Sequence, residues 1–582
     1  MSSPFGRMVV ELGVTMKMRD GVEIVADVYR PAQGQWPAVL ARCPYDRQDP
    51  AVGSMVIMDP AWLARQGYAV IVQDTRGRGE SGGAFDPVYQ EVEDGYDSVE
   101  WAAAQPWCSG EVGIYGSSYL GIATYQAAGA KPPHLKAAVA FVGGTRPMGR
   151  HLNGNVFDAT FVTWYAYLTT LMTVMRADIE DARKQDLVGR ILTALADPVA
   201  TASCLPLDKL DVISDPELAP FWFECLQEPN TSEDARVPLL ADHNDIGEVA
   251  LLHIAGYRDF LSADGFALAQ ALADNPRHRF IAGPFTHRGV YSGFTGSREL
   301  PGTSTPAGPL GWGPIIAAWF DIHLKGGTGA THPIGLPWLI GPSVRYYLEG
   351  ENRWEGTESW PPATSATEWL LSSQGNARSS SGDGRLMQPG QAGSDEATVT
   401  FVADPHAPFP SCGGAMGIPE QGPEGIQDQR LVDHRDDVLV FTSDILDAPV
   451  TIAGKQELRL RFSSSAPDAD ICVTLVDVEP NGFAYNVAEG FQRTRYRNGG
   501  TSDWLSEGEP VELAVQTHDT AYVFKPGHRI RVMVAGACYP RVSRNLHTTT
   551  RPELGTMEEA VAATHRVHLG GMGSRLVLNR LA

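Results

Sequence analysis

The sequence predicts an α/β protein: a mostly parallel sheet buried on both faces, interrupted by a helical insert and followed by an all-β domain. Three observations lead there. Short apolar strands alternate with helical stretches over residues 1–145. The strand signal vanishes over 146–241 and returns over 242–350. Beyond, at 351–582, the chain breaks into many short alternating segments separated by Gly, Pro and Asn.

Each element follows from local pattern. Residues 8–31 alternate around the turn Arg19-Asp20-Gly21, which predicts an antiparallel hairpin. An apolar run from Pro37 to Ala41 ends at Cys43-Pro44-Tyr45-Asp46. A helix over Ala61–Gln66 closes at Gly67, and the strand from Tyr68 to Gln73 runs into Asp74-Thr75-Arg76-Gly77-Arg78-Gly79. A second helix covers about Glu91 to Gln105. Val112 to Tyr115 is a short strand, and Leu120 to Ala130 is a helix rich in small residues. Short, wholly apolar strands between helices suit a parallel sheet. In the insert, Trp164, Tyr165, Leu168, Leu171 and Met172 share the apolar side of one helix. Val249–Ala255 and Arg279–Ala282 are strands again, and Ile315–Leu324 is a helix. Residues 374–398 are loop-like. Seven alternating strands then follow between Ala397 and Leu569, the pattern of a β-sandwich or jelly roll.

Composition bounds the partners. Acidic residues outnumber basic ones, 69 to 46, for a formal charge of −23. Such a surface repels phosphate backbones and anionic lipid, so nucleic acid and membrane are excluded as partners. No apolar run reaches membrane-spanning length, and a soluble, cytoplasmic protein is expected. Seven scattered cysteines without a CxxC pair argue against a disulfide framework and a zinc-thiolate site. No metal or cofactor is expected, because metal-ligand, Walker and dinucleotide motifs are absent.

The chemistry concentrates at Ile114-Tyr115-Gly116-Ser117-Ser118-Tyr119-Leu120-Gly121. A strand enters a tight turn and a small-residue helix leaves it, as in a nucleophile elbow. Gly116 stands two places before Ser118, where a side chain would clash. Tyr115 holds that place for Ser117, so Ser118 is the candidate nucleophile. The second glycine comes three residues after Ser118, one later than in the usual motif. A serine needs a base, and the base an orienting acid, in the chain order Ser, Asp, His for this fold. Asp259 follows the strand ending near Ala255; its alternative is a helix cap. Asp264 reads as the start of the next helix. His287 follows Gly283-Pro284 in the loop after the next strand, whereas His253 lies inside an apolar strand and reads as core. An oxyanion hole is required as well. The backbone N–H of Tyr119 is one candidate donor. The Tyr45 hydroxyl is the other, unless Tyr45 merely packs on the elbow.

Taken together, Gly116–Gly121, the CPYDR loop (43–47), Asp74–Gly83, Gly256–Phe260, Gly283–His287 and Trp319–Gly327 resemble the bacterial cocaine esterase and X-Pro dipeptidyl-peptidase-like hydrolases. C-terminal stretches, among them Tyr539–Asn545, extend the resemblance over nearly the whole chain. It implies an α/β-hydrolase core (1–145 and 242–350), an inserted helical cap (146–241) and a C-terminal jelly roll (351–582). It implies the triad Ser118, Asp259 and His287, with Tyr45 and Tyr119 as the oxyanion hole. It also implies a homodimer. Relatives that act on α-amino acid esters carry extra carboxylates after the triad aspartate. Here Phe260-Leu261-Ser262 follows Asp259, so a free α-amino group is not the expected handle. Trp164, Phe260 and Phe409 are candidates for the wall of an acyl pocket, each with plain core as its alternative. The expected function is serine hydrolysis of a small-molecule carboxylic ester through an acyl-enzyme. The competing readings are an amide acylase or X-Pro-type dipeptidyl aminopeptidase with the same triad, and a binding protein built on an inactive hydrolase.

Overall fold

A computed structural model describes residues 7–49, 58–145, 153–227, 246–292, 294–301, 311–327, 332, 334–390, 397–499, 502–570 and 573–581. Ten strands form the first sheet: β1 Met8–Lys17, β2 Glu23–Pro31, β3 Trp36–Cys43, β4 Ala69–Asp74, β5 Cys108–Ser117, β6 Leu135–Phe141, β7 Ala250–Arg258, β8 His278–Thr286, β9 Val344–Leu348 and β10 Arg353–Thr357. Their order is β1-β2-β4-β3-β5-β6-β7-β8-β9-β10. The seven strands β4-β3-β5-β6-β7-β8-β9 run parallel; β1, β2 and β10 add antiparallel edges. The sheet thus extends past residue 350 to Thr357, because β10 returns on β9 as a hairpin.

The central strands are buried along almost their whole length. Helices cover both faces, as parallel strands require. Gln90–Ala103 and Tyr119–Gly129 share one core with Ile114, Ala138 and Leu251, while Gly313–Leu324 packs on the other face with Tyr115, Val139 and Ile281. Parallel strands all finish at the same edge. Tyr45, Ser118, Asp259 and His287 therefore stand at one rim of the sheet, each within two residues of a strand end. In open α/β sheets that rim is where ligands bind.

Over it lies a helical layer, including α-helices Ala159–Arg176 and Asp181–Ala196. The ends of the expected insert, 146–152 and 228–241, fall outside the described residues. The described residues between 364 and 581 form the all-β domain, a thirteen-stranded system around its own core of Phe441, Phe462, Leu475, Phe524 and Val532. Among the described residues no helix is long and apolar enough to cross a membrane.

The three parts share one apolar cluster in which Phe161 and Tyr165 of the insert meet Tyr119 and Phe260 of the sheet domain and Ile418 of the all-β domain. Polar contacts pin the seam. Asp158 caps the helix starting at Ala159, its Oδ1 accepting from Phe161 N–H at 3.0 Å and Gln421 Nε2 at 2.6 Å. Its Oδ2 is buried without a hydrogen-bond partner among the described residues, and burial pushes the Asp158 pKa up to about 6. A folded-state pKa raised from 3.8 gives stability that is full below about pH 4 and is lost as pH rises through 6. Asp158→Asn removes that titration. The stability difference between wild type and Asp158→Asn, followed by urea unfolding, is expected to shift against wild type by about 2–3 kcal/mol from pH 4 to pH 7. A pH-independent difference would contradict the assignment.

Candidate active site

At the end of β5 the chain turns through Ser118 with φ 54° and ψ −123°. That conformation costs a non-glycine residue about 1–3 kcal/mol and persists only where the surroundings enforce it. Ser118 N–H donates to Phe141 O at 3.1 Å. Gly116 lies so close to the departing helix that a Cβ there would sit 2.3 Å from Leu120 Cβ. At Gly121 a Cβ would meet Phe141 O at 2.7 Å, so the helix rests against β6 without a side chain between them. This contact places the second glycine three residues after the serine.

The turn lifts Ser118 Oγ toward His287. Ser118 Oγ–H donates to His287 Nε2 at 3.0 Å, and His287 Nδ1–H donates to Asp259 Oδ1 at 3.1 Å. Leu261 N–H also donates to Asp259 Oδ1, at 2.8 Å, which fixes the carboxylate in the loop after β7. Asp259 is buried beneath the imidazole. The β7 end that carries it is held by the adjacent Arg258, which makes a buried fork to Glu349 at 2.5 and 2.9 Å. The competing residues have other work. Asp264 accepts from Thr145 N–H at 2.8 Å, Ser117 Oγ is hydrogen-bonded to Tyr291 Oη, and His253 is buried against His278 and Tyr125.

Two donors face the same space. Tyr119 opens its helix, so its N–H has no carbonyl partner within the helix. The Tyr45 hydroxyl, in the loop after β3, belongs to a residue that lines the same cavity as Ser118. Burial pushes its phenol well above the ordinary range, so it stays protonated and able to donate. Behind lies Arg78, 1% exposed, with its guanidinium 3.7 Å from the Phe85 ring centre and bonded to Thr169 O at 3.1 Å. Burial pushes its pKa down to about 10, so it is cationic at neutral pH. No ion pair to Arg78 occurs among the described residues.

Ser118 and His287 open into a cavity of about 270 Å³. Its walls are aromatic: Phe161, Trp164, Tyr165 and Phe260, with Ile418 and Pro419 from the all-β domain. Phe260 packs on both Phe161 and His287, ring centres 4.5 and 4.6 Å apart. Trp164 and Phe260 therefore stand at the cavity, but Phe409 does not. Its backbone pairs with Tyr539, and the ring is buried among Val438, Val440 and Met533 inside the all-β domain. The loop at 417–419 takes the place expected for it. Phe161 and Tyr165 are wall residues that the sequence reading leaves unassigned to the pocket; their signal is that Trp164 and Tyr165 follow Phe161 by three and four residues, one turn along a helix face.

A mixed sheet with parallel centre, an elbow serine and an imidazole–carboxylate row at its rim define a serine hydrolase of the α/β-hydrolase class. The X-Pro dipeptidyl-peptidase (S15 family) profile matches residues 20–289, and that of the X-Pro dipeptidyl-peptidase C-terminal non-catalytic domain matches 340–577. Cocaine esterase of Rhodococcus sp. (strain MB1 Bresler) is 33% identical over 576 residues, 97% of each chain. The chain belongs to the cocaine esterase and X-Pro dipeptidyl-peptidase (S15) family. An aminopeptidase from a marine sediment Thaumarchaeota archaeon shares the fold at a TM-score of 0.78 and 22% identity, covering 100% of this chain and 97% of the other. An α-amino acid ester hydrolase does so at 0.70 and 21%, covering 100% and 98%.

Because the elbow depends on close backbone approach, Gly116→Ala is expected to lower unfolding stability by about 2 kcal/mol or more. Urea unfolding measures this, and an unchanged midpoint would show that the turn tolerates a side chain.

Proposed function

We propose that the protein hydrolyses a small-molecule carboxylic ester with an apolar or aromatic acyl group, through an acyl-enzyme on Ser118. The observation that carries this reading is the hydrogen-bonded row Ser118–His287–Asp259 opening into an aromatic cavity. Ser118 Oγ attacks the ester carbonyl carbon as its proton passes to His287 Nε2. Asp259 stays ionised and stabilises the imidazolium. Negative charge develops on the carbonyl oxygen, which accepts hydrogen bonds from the Tyr45 hydroxyl and Tyr119 N–H. The carbonyl then re-forms, the ester C–O bond breaks, and the imidazolium returns its proton to the departing alkoxide. Water, deprotonated by His287, attacks the acyl-enzyme; the carboxylic acid leaves and Ser118 regains its proton.

The same residues could cleave an amide. Ester cleavage is favoured over the aminopeptidase reading because no Asp or Glu lines the cavity among the described residues, which leaves a substrate ammonium without a counter-charge. An aminopeptidase needs such a partner for its substrate's N-terminus. We further place the enzyme in the cytoplasm; all seven cysteines are free thiols, as a reducing compartment permits.

Aryl esters of benzoic and phenylacetic acid, assayed beside the matching anilides, test the reading. Esters are expected to turn over and anilides far more slowly. Ser118→Ala is expected to lower kcat by at least about 10⁴-fold. Anilide turnover matching the esters would favour the acylase reading. A separate prediction concerns Tyr45→Phe. Loss of a donor used mainly in the transition state should lower kcat about 10²–10³-fold with little change in KM. A change confined to KM would instead mark Tyr45 as a ground-state contact.

A further inference from the structure

The residue after the histidine is a cation, Arg288. Arg288 lines the cavity beside Ser118 and His287. Its Nε and Nη2 both reach one oxygen of Glu424, Oε1, at 3.3 and 3.2 Å. The pair is oriented: the Arg288 side chain is 43% exposed, that of Glu424 only 5%. An arriving group therefore meets guanidinium, while the carboxylate serves as its buried anchor. Nη1 makes no ion pair among the described residues. Both Glu424 and the wall residues 417–419 come from the all-β domain, so that domain sets the charge at the cavity as well as its shape.

Mechanism fixes which half of the substrate lies there. His287 gives its proton to the leaving oxygen, so the leaving group stands against the imidazole, and Arg288 is the next residue. The acyl half is left to the aromatic wall. We propose that Arg288 is a specificity residue for the leaving group, and that the enzyme prefers esters whose alcohol or phenol carries a carboxylate and disfavours those carrying a fixed cation. A planar guanidinium with a free edge suits a carboxylate. The chain's net charge of −23 opposes long-range steering of anions, so the preference arises at contact distance. This inference rests on the ester-hydrolase reading above.

The test uses the full-length enzyme and three esters of phenylacetic acid that differ only in the leaving group: phenyl, meta-carboxyphenyl and meta-(trimethylammonio)phenyl. Each kcat/KM is divided by the ester's rate with hydroxide to remove intrinsic reactivity. The wild type is expected to favour the carboxyphenyl ester over the phenyl ester about fivefold, the strength of a half-exposed ion pair, and to disfavour the cationic ester by a similar factor. Arg288→Gln should bring both ratios toward one, and Arg288→Lys should retain them in part. Because all three esters give the same acyl-enzyme, the deacylation rate should not depend on which was used. A wild-type carboxyphenyl-to-phenyl ratio at or below one, a cationic-to-phenyl ratio at or above one, or ratios unchanged in Arg288→Gln, would overturn the proposal while leaving Ser118-dependent hydrolysis standing. Failure of all three esters to turn over would overturn the ester-hydrolase reading, and the proposal with it.

Discussion

The positive φ of Ser118 is the constraint on which the rest depends. A serine held there is strained, and the strain is sustained by what surrounds it. Gly116 and Gly121 let the helix and β6 approach closely, and Phe141 O captures the serine N–H. The same geometry frees the Tyr119 N–H, because that residue becomes the first of the helix. Nucleophile and donor are thus two consequences of one turn. The base and acid reach it because β5, β7 and β8 are parallel and end together, so residues 118, 259 and 287 meet without long loops.

Around that turn the molecule is assembled from three directions. The sheet supplies the reactive row, the helical layer supplies Phe161, Trp164 and Tyr165, and the all-β domain supplies Gly417–Pro419 and Glu424. Asp158 and Gln421 join the last two. Arg258, next to Asp259, is clamped to Glu349 and lies 3.4 Å from the carbonyls of Asn486 and Val487 in the all-β domain. Near the cavity Arg78 is buried without an ion pair among the described residues, and Arg288, paired with Glu424, presents its guanidinium. A cation so placed favours a developing oxyanion.

Much of this was legible because it is local. The three residues of the row each follow a strand that its own apolar run announces, and the elbow shows itself in small residues. What depends on distant parts was less so. From local sequence Tyr45 is equally a packing residue, because only the pairing of β3 with β5 brings its loop to Ser118. β6, Leu-Lys-Ala-Ala-Val-Ala-Phe, gives little signal because alanine has low strand propensity. Phe409 lies in the irregular stretch after residue 403, which has no periodicity to show which way the ring points. The contact that decides it, with Tyr539, spans 130 residues. Arg288 and Glu424 are likewise far apart in the chain, so their oriented pair leaves no mark on either segment.

The central claim is that one of two adjacent serines becomes acylated. Labelling the intact protein with a fluorophosphonate, digesting it and mapping the adduct by tandem mass spectrometry tests this at single-residue resolution. The account predicts one adduct per chain, on Ser118. An adduct on Ser117, on a residue outside the elbow, or none at all would contradict it.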